Sequence, residues 1–227
     1  MLFRDDLKQK KVVQINVPHK KNMMCLNEST LDPFPILKEA FLKKMQKVHL
    51  NRYFNDISQS LLLKLSDYAG VKKENLAIGN GADELLYYIF TAVRNNAKDW
   101  ALSLSPSYFD YKSYTAAVGM NIKFLDLDKN FDFNQDNYLK LCEDDNCRLA
   151  ILCNPNNPTG NLFETEKILE IVSKCKKLVL VDETYYEFSG VSLAKYIEKF
   201  PNLILVRSFS KSFSAAGLRF GYAISNK

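Results

Sequence analysis

The sequence predicts an α/β fold, a mostly parallel seven-stranded sheet with helices on both faces. Three observations carry the prediction. From residue 76 onward, short β-rich runs alternate with longer helical patterns, as in a wound sheet. The middle runs are apolar on both alternating faces, as strands buried from two sides are. The chain has 227 residues, 47% of them hydrophobic and 12% aromatic, enough to build a large core and too apolar for disorder.

The elements follow in order. Residues 1–30 read as an N-terminal arm, extended over its first part, and residues 31–227 as one large domain. Helical patterns span Pro33 to Val48 and Ser58 to Tyr68. Strand candidates are L-A-I-G around 76, W-A-L-S-L-S from 100, N-I-K-F-L-D-L from 121 and L-A-I-L-C-N from 149. K-L-V-L-V-D from 177, N-L-I-L-V-R-S from 202 and R-F-G-Y-A-I-S from 219 complete the seven. Ala82 to Arg94 opens on an Asp-Glu pair suited to a helix N-terminus and carries Leu85, Leu86, Ile89 and Phe90 on one face. Thr165 to Lys176 does the same with Ile168, Leu169, Ile171 and Val172. The last connection, from near Ser210 to Arg219, is about eight residues, shorter than the dozen of a parallel crossover. The final strand is therefore either antiparallel or placed by a non-neighbour route.

Composition narrows the function classes. The net charge of +5 is mild, with acidic residues among the basic ones, which describes a solvated surface rather than a nucleic-acid footprint. The five cysteines are Cys25, Cys142, Cys147, Cys153 and Cys175. Their spacing fits no zinc ribbon and no CxxC site, so reduced thiols of a cytoplasmic protein are expected. No apolar run approaches the ~20 residues that span a bilayer. The acidic residues in M-L-F-R-D-D-L-K-Q-K-K argue against a signal peptide. With only His19 and His49, neither a histidine-rich metal site nor a Ser-His-Asp triad is expected.

Polar clusters fall at the carboxyl ends of five predicted strands, where ligands gather in such sheets. G-N-G-A-D, residues 79–83, is a glycine-rich turn into a helix that could hold a phosphate on its amides, although plain structural turns read the same. S-P-S-Y-F-D-Y places Tyr108 after Pro106, either to stack on a flat ring or to fill the core. N-P-N-N-P-T-G fixes an irregular backbone that can aim Asn156 and Asn157 into a cleft. Asp182 ends a central strand, where a buried carboxylate needs a cationic partner or serves as a helix cap. Tyr185 follows three residues on. Lys211 lies among serines with Arg219 eight positions later. A desolvated lysine beside hydroxyls and a guanidinium suits a nucleophilic amine next to a phosphate. An amine and a phosphate cradle together are what pyridoxal 5′-phosphate (PLP) requires.

In this order, G-N-G-A-D-E, P-S-Y-F-D-Y, N-P-N-N-P-T-G, D-E-T-Y-Y-E-F and S-F-S-K-S-F-S-A-A-G-L-R-F-G-Y resemble the fold-type-I PLP enzymes of aminotransferase class I/II. L-N-R-Y at 50–53 and Y-A-G-V-K at 68–72 are similar to the histidinol-phosphate aminotransferase branch. The resemblance covers roughly residues 25–227. It implies an aspartate-aminotransferase-like large domain without the family's C-terminal small domain. It implies that Lys211 bonds to the cofactor's aldehyde and moves the substrate's proton, and that Asp182 pairs with the ring nitrogen. Asn157 and Tyr185 would hold the ring hydroxyl, and Tyr108 would stack on the ring. The phosphate would meet the amides of Ala82 and Asp83, with Ser208, Ser210 and Arg219, and Tyr53 from the partner subunit of a homodimer.

The implied activity is ping-pong transfer of an amino group from a donor, glutamate, to an oxo acceptor such as a phosphorylated one. Two departures stand out. The family's N-E-N-P reads N-E-S-T at Asn27 to Thr30, and its Y-P-D reads Y-F-N-D after Tyr53. Both segments shape substrate access. Two alternatives stay open: decarboxylation of a phosphorylated amino acid with the same cofactor, and a shortened domain that binds PLP without turnover.

Overall fold

A computed structural model of the protein describes residues 23–49, 51–53 and 55–227. Most of the predicted arm, residues 1–22 with His19, lies outside the described residues. The helices and strands are α1 (Phe34–Met45), α2 (Asn55–Ala69), β1 (Leu76–Gly79), α3 (Gly81–Val93), β2 (Trp100–Ser105), α4 (Tyr111–Ala117), β3 (Asn121–Asp126), α5 (Gln135–Cys142), β4 (Cys147–Cys153), α6 (Thr165–Lys174), β5 (Leu178–Asp182), α7 (Tyr186–Ser189), β6 (Leu203–Ser208) and β7 (Gly221–Ser225).

The seven strands form one sheet in the order β1-β7-β6-β5-β4-β2-β3. Neighbours from β6 across to β3 run parallel. β7 lies between β1 and β6 and is antiparallel to both, which settles the short last connection in favour of the antiparallel alternative. The loop from 209 to 220 turns straight back along β6, so no crossover is needed.

Alternation along the central strands explains the layers. Leu149, Ile151 and Cys153 face one side with Leu85, Leu86, Ile89 and Phe90 of α3 and Tyr111 of α4. Ala150 and Leu152 face the other with Tyr138 of α5 and Ile168, Ile171 and Val172 of α6. Both faces are therefore covered, and the strands between them read as unbroken apolar runs. The exception is β3. It lies at the sheet edge and leaves Asn121, Lys123, Phe124 and Asp126 exposed, so it is not the doubly buried strand its sequence suggests. Three helices were not expected from the sequence: α4, α5 and α7. Each is eight residues or shorter, and a short helix shows too few turns for its period to stand out. α1 buries none of its residues, and Phe34, Ile36, Leu37, Phe41, Leu42 and Met45 are exposed. Among the described residues no helix is long and apolar enough to cross a membrane.

Between β2 and β4 the chain order reverses direction across the sheet. Such a switch point opens a crevice at the carboxyl ends of the strands.

Candidate active site

The crevice is a cavity of about 640 Å³. Ten predicted residues line it: Ala82, Asp83, Tyr108, Asn157, Asp182, Tyr185, Ser208, Ser210, Lys211 and Arg219. They arrive from the N-terminus of α3 and from the segments after β2, β4, β5 and β6, so the sheet brings together positions up to 137 residues apart. Tyr53 does not line the cavity of its own chain and is fully exposed.

Asp182 is the last residue of β5 and only 3% exposed. Its Oδ2 accepts a hydrogen bond from the Tyr111 hydroxyl at 2.7 Å, and its Oδ1 accepts from the Thr184 amide at 3.0 Å. Burial pushes its carboxyl above the usual range, and these two donors oppose the shift. Both partners are neutral, so the carboxylate faces the cavity suited to a cation or a shared proton. The Thr184 contact is a local turn of the Asx type and not the helix cap that the sequence also allowed, because α7 starts at Tyr186 with Tyr185 at its N-cap position and no side-chain cap bond.

Lys211 lies in the turn after β6, and its Nζ donates to the Leu26 carbonyl at 2.6 Å. Burial, aided by the nearby Arg219 charge, holds its amine below the ordinary lysine range, with Glu28 and Asp83 opposing. The end of the arm folds over this lysine. Asn27 Nδ2 donates to the Tyr185 hydroxyl at 3.0 Å, and the Ser214 hydroxyl donates to that of Ser29 at 2.7 Å. Leu26 and Asn27 both have left-handed backbone, with φ of 59° and 49°. Asn tolerates that region, whereas a leucine there is strained.

The opposite wall is built by close backbone approach. A Cβ on Gly221 would stand 2.7 Å from the Ala82 amide nitrogen, and one on Gly81 would stand 2.7 Å from Arg219 Nη2. Glycine at both positions lets the first turn of α3 meet β7 and lets Arg219 lie against that turn. The helix N-terminus therefore opens on the cavity beside a guanidinium, Ser208 and Ser210, an anion site by both dipole and charge. Arg219 Nη2 donates to Asp83 Oδ2 at 2.7 Å.

Sequence reasoning placed one residue wrongly and overlooked several. Asn156 does not reach the cavity. It is buried and ties two loops together, bonding Ser107, the Pro106 carbonyl and Thr159. Tyr111 lies within the run P-S-Y-F-D-Y but carried no assigned role, because only folding shows that it reaches Asp182. Asn27 and Thr184 were overlooked for the same reason. Behind the site, Glu183 and Arg207 form an ion pair at 2.9 Å with both side chains 2% exposed. Charges at the ends of two adjacent apolar strands, D-E at the end of β5 and R-S at the end of β6, are the signal that could have revealed it. Among the described residues no cluster of His, Cys, Asp or Glu could hold a metal.

The cavity's donor set has distinct ends. An anion cradle lies at Ala82, Ser208, Ser210 and Arg219, a buried carboxylate at Asp182, an amine at Lys211, and phenols at Tyr108 and Tyr185. These residues fit a flat, phosphorylated group bearing a basic ring nitrogen and an aldehyde.

Comparison with known proteins agrees. The family model for aminotransferase class I and II matches residues 20–227. Histidinol-phosphate aminotransferase of Caldanaerobacter subterraneus subsp. tengcongensis is 36% identical over 230 residues, covering 99% of this chain and 64% of that protein. The enzyme of the same name from Pyrococcus furiosus is 35% identical over 88% of this chain and 58% of its own length. The solved histidinol-phosphate aminotransferase of Sinorhizobium meliloti, in complex with pyridoxal-5′-phosphate, superposes with a TM-score of 0.78 at 25% identity, over 88% of this chain and 55% of that one. The chain thus spans less than two thirds of the length of these relatives. With strand order, cavity and family model in agreement, this chain belongs to the class I and II aminotransferases.

Proposed function

We propose that this chain is the cofactor-binding part of a PLP-dependent aminotransferase, cytoplasmic and homodimeric, with a phosphorylated oxo acceptor of the histidinol-phosphate type. The observation that carries the reading is the convergence of ten residues from five strand ends on one cavity with Asp182 at its buried base. When bound, PLP supplies an aldehyde for the amino group and a ring that draws electrons from the substrate.

The chain's residues supply the rest. The amides of Ala82 and Asp83, the hydroxyls of Ser208 and Ser210 and the Arg219 guanidinium hold the phosphate end. Tyr108 holds the ring face. Asn157 and Tyr185 hold the ring hydroxyl. Asp182 holds a proton at the ring nitrogen, and Tyr111 and Thr184 keep its carboxylate oriented for that task. Lys211 carries the mobile proton at Nζ. Its depressed affinity for a proton suits a group that must give up and regain one near neutral pH. Tyr53, outside its own chain's cavity, completes the phosphate site of the partner subunit.

The test combines binding and turnover. Incubation with PLP and borohydride should fix the cofactor to the Lys211 peptide by mass spectrometry, and Lys211→Ala should abolish this. Failure of the wild type to form the adduct would sink the cofactor reading. Glutamate with imidazole-acetol phosphate should then yield 2-oxoglutarate. Release of CO₂ from O-phosphothreonine instead would assign decarboxylation.

A further inference from the structure

Tyr114 has no role in the cofactor contacts described above, yet it is wired to them. It lies on α4, and its ring stacks on Phe90 with centroids 6.3 Å apart and planes at 26°. Its hydroxyl donates to Asp83 Oδ1 at 2.5 Å. The other oxygen, Oδ2, accepts from Arg219 Nη2 at 2.7 Å. Arg219 Nη1 donates to the Ala216 carbonyl at 3.1 Å. A continuous chain of hydrogen bonds thus runs from α4 to the cationic wall of the cavity.

The charge arrangement poses a question. Asp83 sits at the anion end of the cavity, where its carboxylate repels a phosphate. It is also paired with the cation that end depends on. We propose that Tyr114 and Asp83 are positioning residues for Arg219, fixing the guanidinium against the first turn of α3 so that its remaining N–H groups face the phosphate. This inference rests on the PLP reading. The physical gain is preorganisation. A free arginine loses rotamer entropy when it clamps an anion, and one already held at Nη1 and Nη2 loses less on binding. Tyr114 fixes the carboxylate that does the holding, and its hydrogen bond draws negative charge away from the phosphate. Glu28, Asp110, Asp182 and Lys211 are the other charged groups that line the cavity, and none of them bonds to Arg219 among the described contacts.

The test compares PLP with pyridoxal, its phosphate-free counterpart. Dissociation constants for both are measured by equilibrium dialysis on wild type, Tyr114→Phe and Asp83→Asn. The readout is the ratio of the pyridoxal constant to the PLP constant, which isolates the phosphate's contribution. Tyr114→Phe should lower this ratio about threefold to tenfold, the size of one lost hydrogen bond. Asp83→Asn should lower it at least as much. If Asp83 were only a repelling charge, its neutralisation would raise the ratio, and the proposal would be wrong. A merely structural role would weaken both ligands equally and leave the ratio fixed, which also overturns it. A wild-type ratio of one would remove the PLP reading itself, and this inference with it.

Discussion

Replacing Arg207 with methionine would strand Glu183, and the structure sets both the size of the effect and its pH dependence. Arg207 donates from Nε to Glu183 Oε2 at 2.9 Å and from Nη1 to the Tyr222 hydroxyl at 3.0 Å, it bonds Ser192, and it packs 3.6 Å above the Tyr186 ring. Glu183 also accepts from the Leu193 amide at 2.7 Å and from Ser192 at 2.9 Å. Burial pushes the Glu183 carboxyl up, and Arg207 is the main force opposing it. Breaking a buried pair on one side costs about 3–5 kcal/mol. Glu183 has an escape, because it can take a proton. At pH 7, about 2.7 units above the ordinary glutamate value, protonation costs ~3.7 kcal/mol at ~1.36 kcal/mol per unit. That sets a ceiling on the charge part of the loss.

The pH dependence has a definite sign. In the variant the folded state holds Glu183's proton more tightly than the unfolded state does. Stability is therefore lost as pH rises above ~4.3 and recovered as pH falls toward it. Urea unfolding should show Arg207→Met destabilised by ~3–4 kcal/mol at pH 7, with the gap to wild type narrowing as pH falls toward 5. Adding Glu183→Gln should restore most of the loss at pH 7, since glutamine keeps an acceptor for Leu193 and Ser192 and carries no charge. An equal gap at both pH values, or a double variant as unstable as the single one, would refute the reasoning.

Two further outcomes follow from the same geometry. Gly221→Ala should cost ~1–3 kcal/mol in urea unfolding. Its Cβ would meet backbone on three sides, the Ala82 nitrogen, the Gly81 carbon and the Arg207 oxygen, all within 2.9 Å. Backbone cannot rotate away, so an unchanged midpoint would show that α3 does not approach β7 this closely. Lys211→Met should stabilise the chain at pH 7 relative to wild type, with the advantage shrinking as pH rises toward ~10.4. The lowered folded value means that the native lysine sheds its proton before the unfolded one does, relieving its burial within that window. A pH-independent gap would argue that Lys211 is not held below its ordinary range.

The sequence alone determined the seven strands and the two covered faces, and with the family resemblance it named ten of the residues that line the cavity. The reason is local. Short apolar runs bounded by polar turn residues commit to buried strands wherever they lie, and strand ends collect the polar residues that a sheet of this kind turns toward ligands. Lys211, Asp182 and Arg219 were legible because each is a charge in an apolar or uncharged context, whereas Asn157 drew its role from the resemblance of N-P-N-N-P-T-G to the family. Pairing between distant segments was left to the tertiary structure. The antiparallel insertion of β7 between β1 and β6 is a matter of strand register, which no single run encodes. The links from Tyr111 to Asp182, Tyr114 to Asp83, Leu26 to Lys211 and Glu183 to Arg207 join residues 24 to 185 positions apart. An aromatic or a charge at such a position looks the same in sequence whether it fills the core, meets solvent or orients a partner. Only the sheet, by bringing five strand ends to one crevice, turns Lys211 from a lysine among serines into an amine facing a buried carboxylate and a guanidinium.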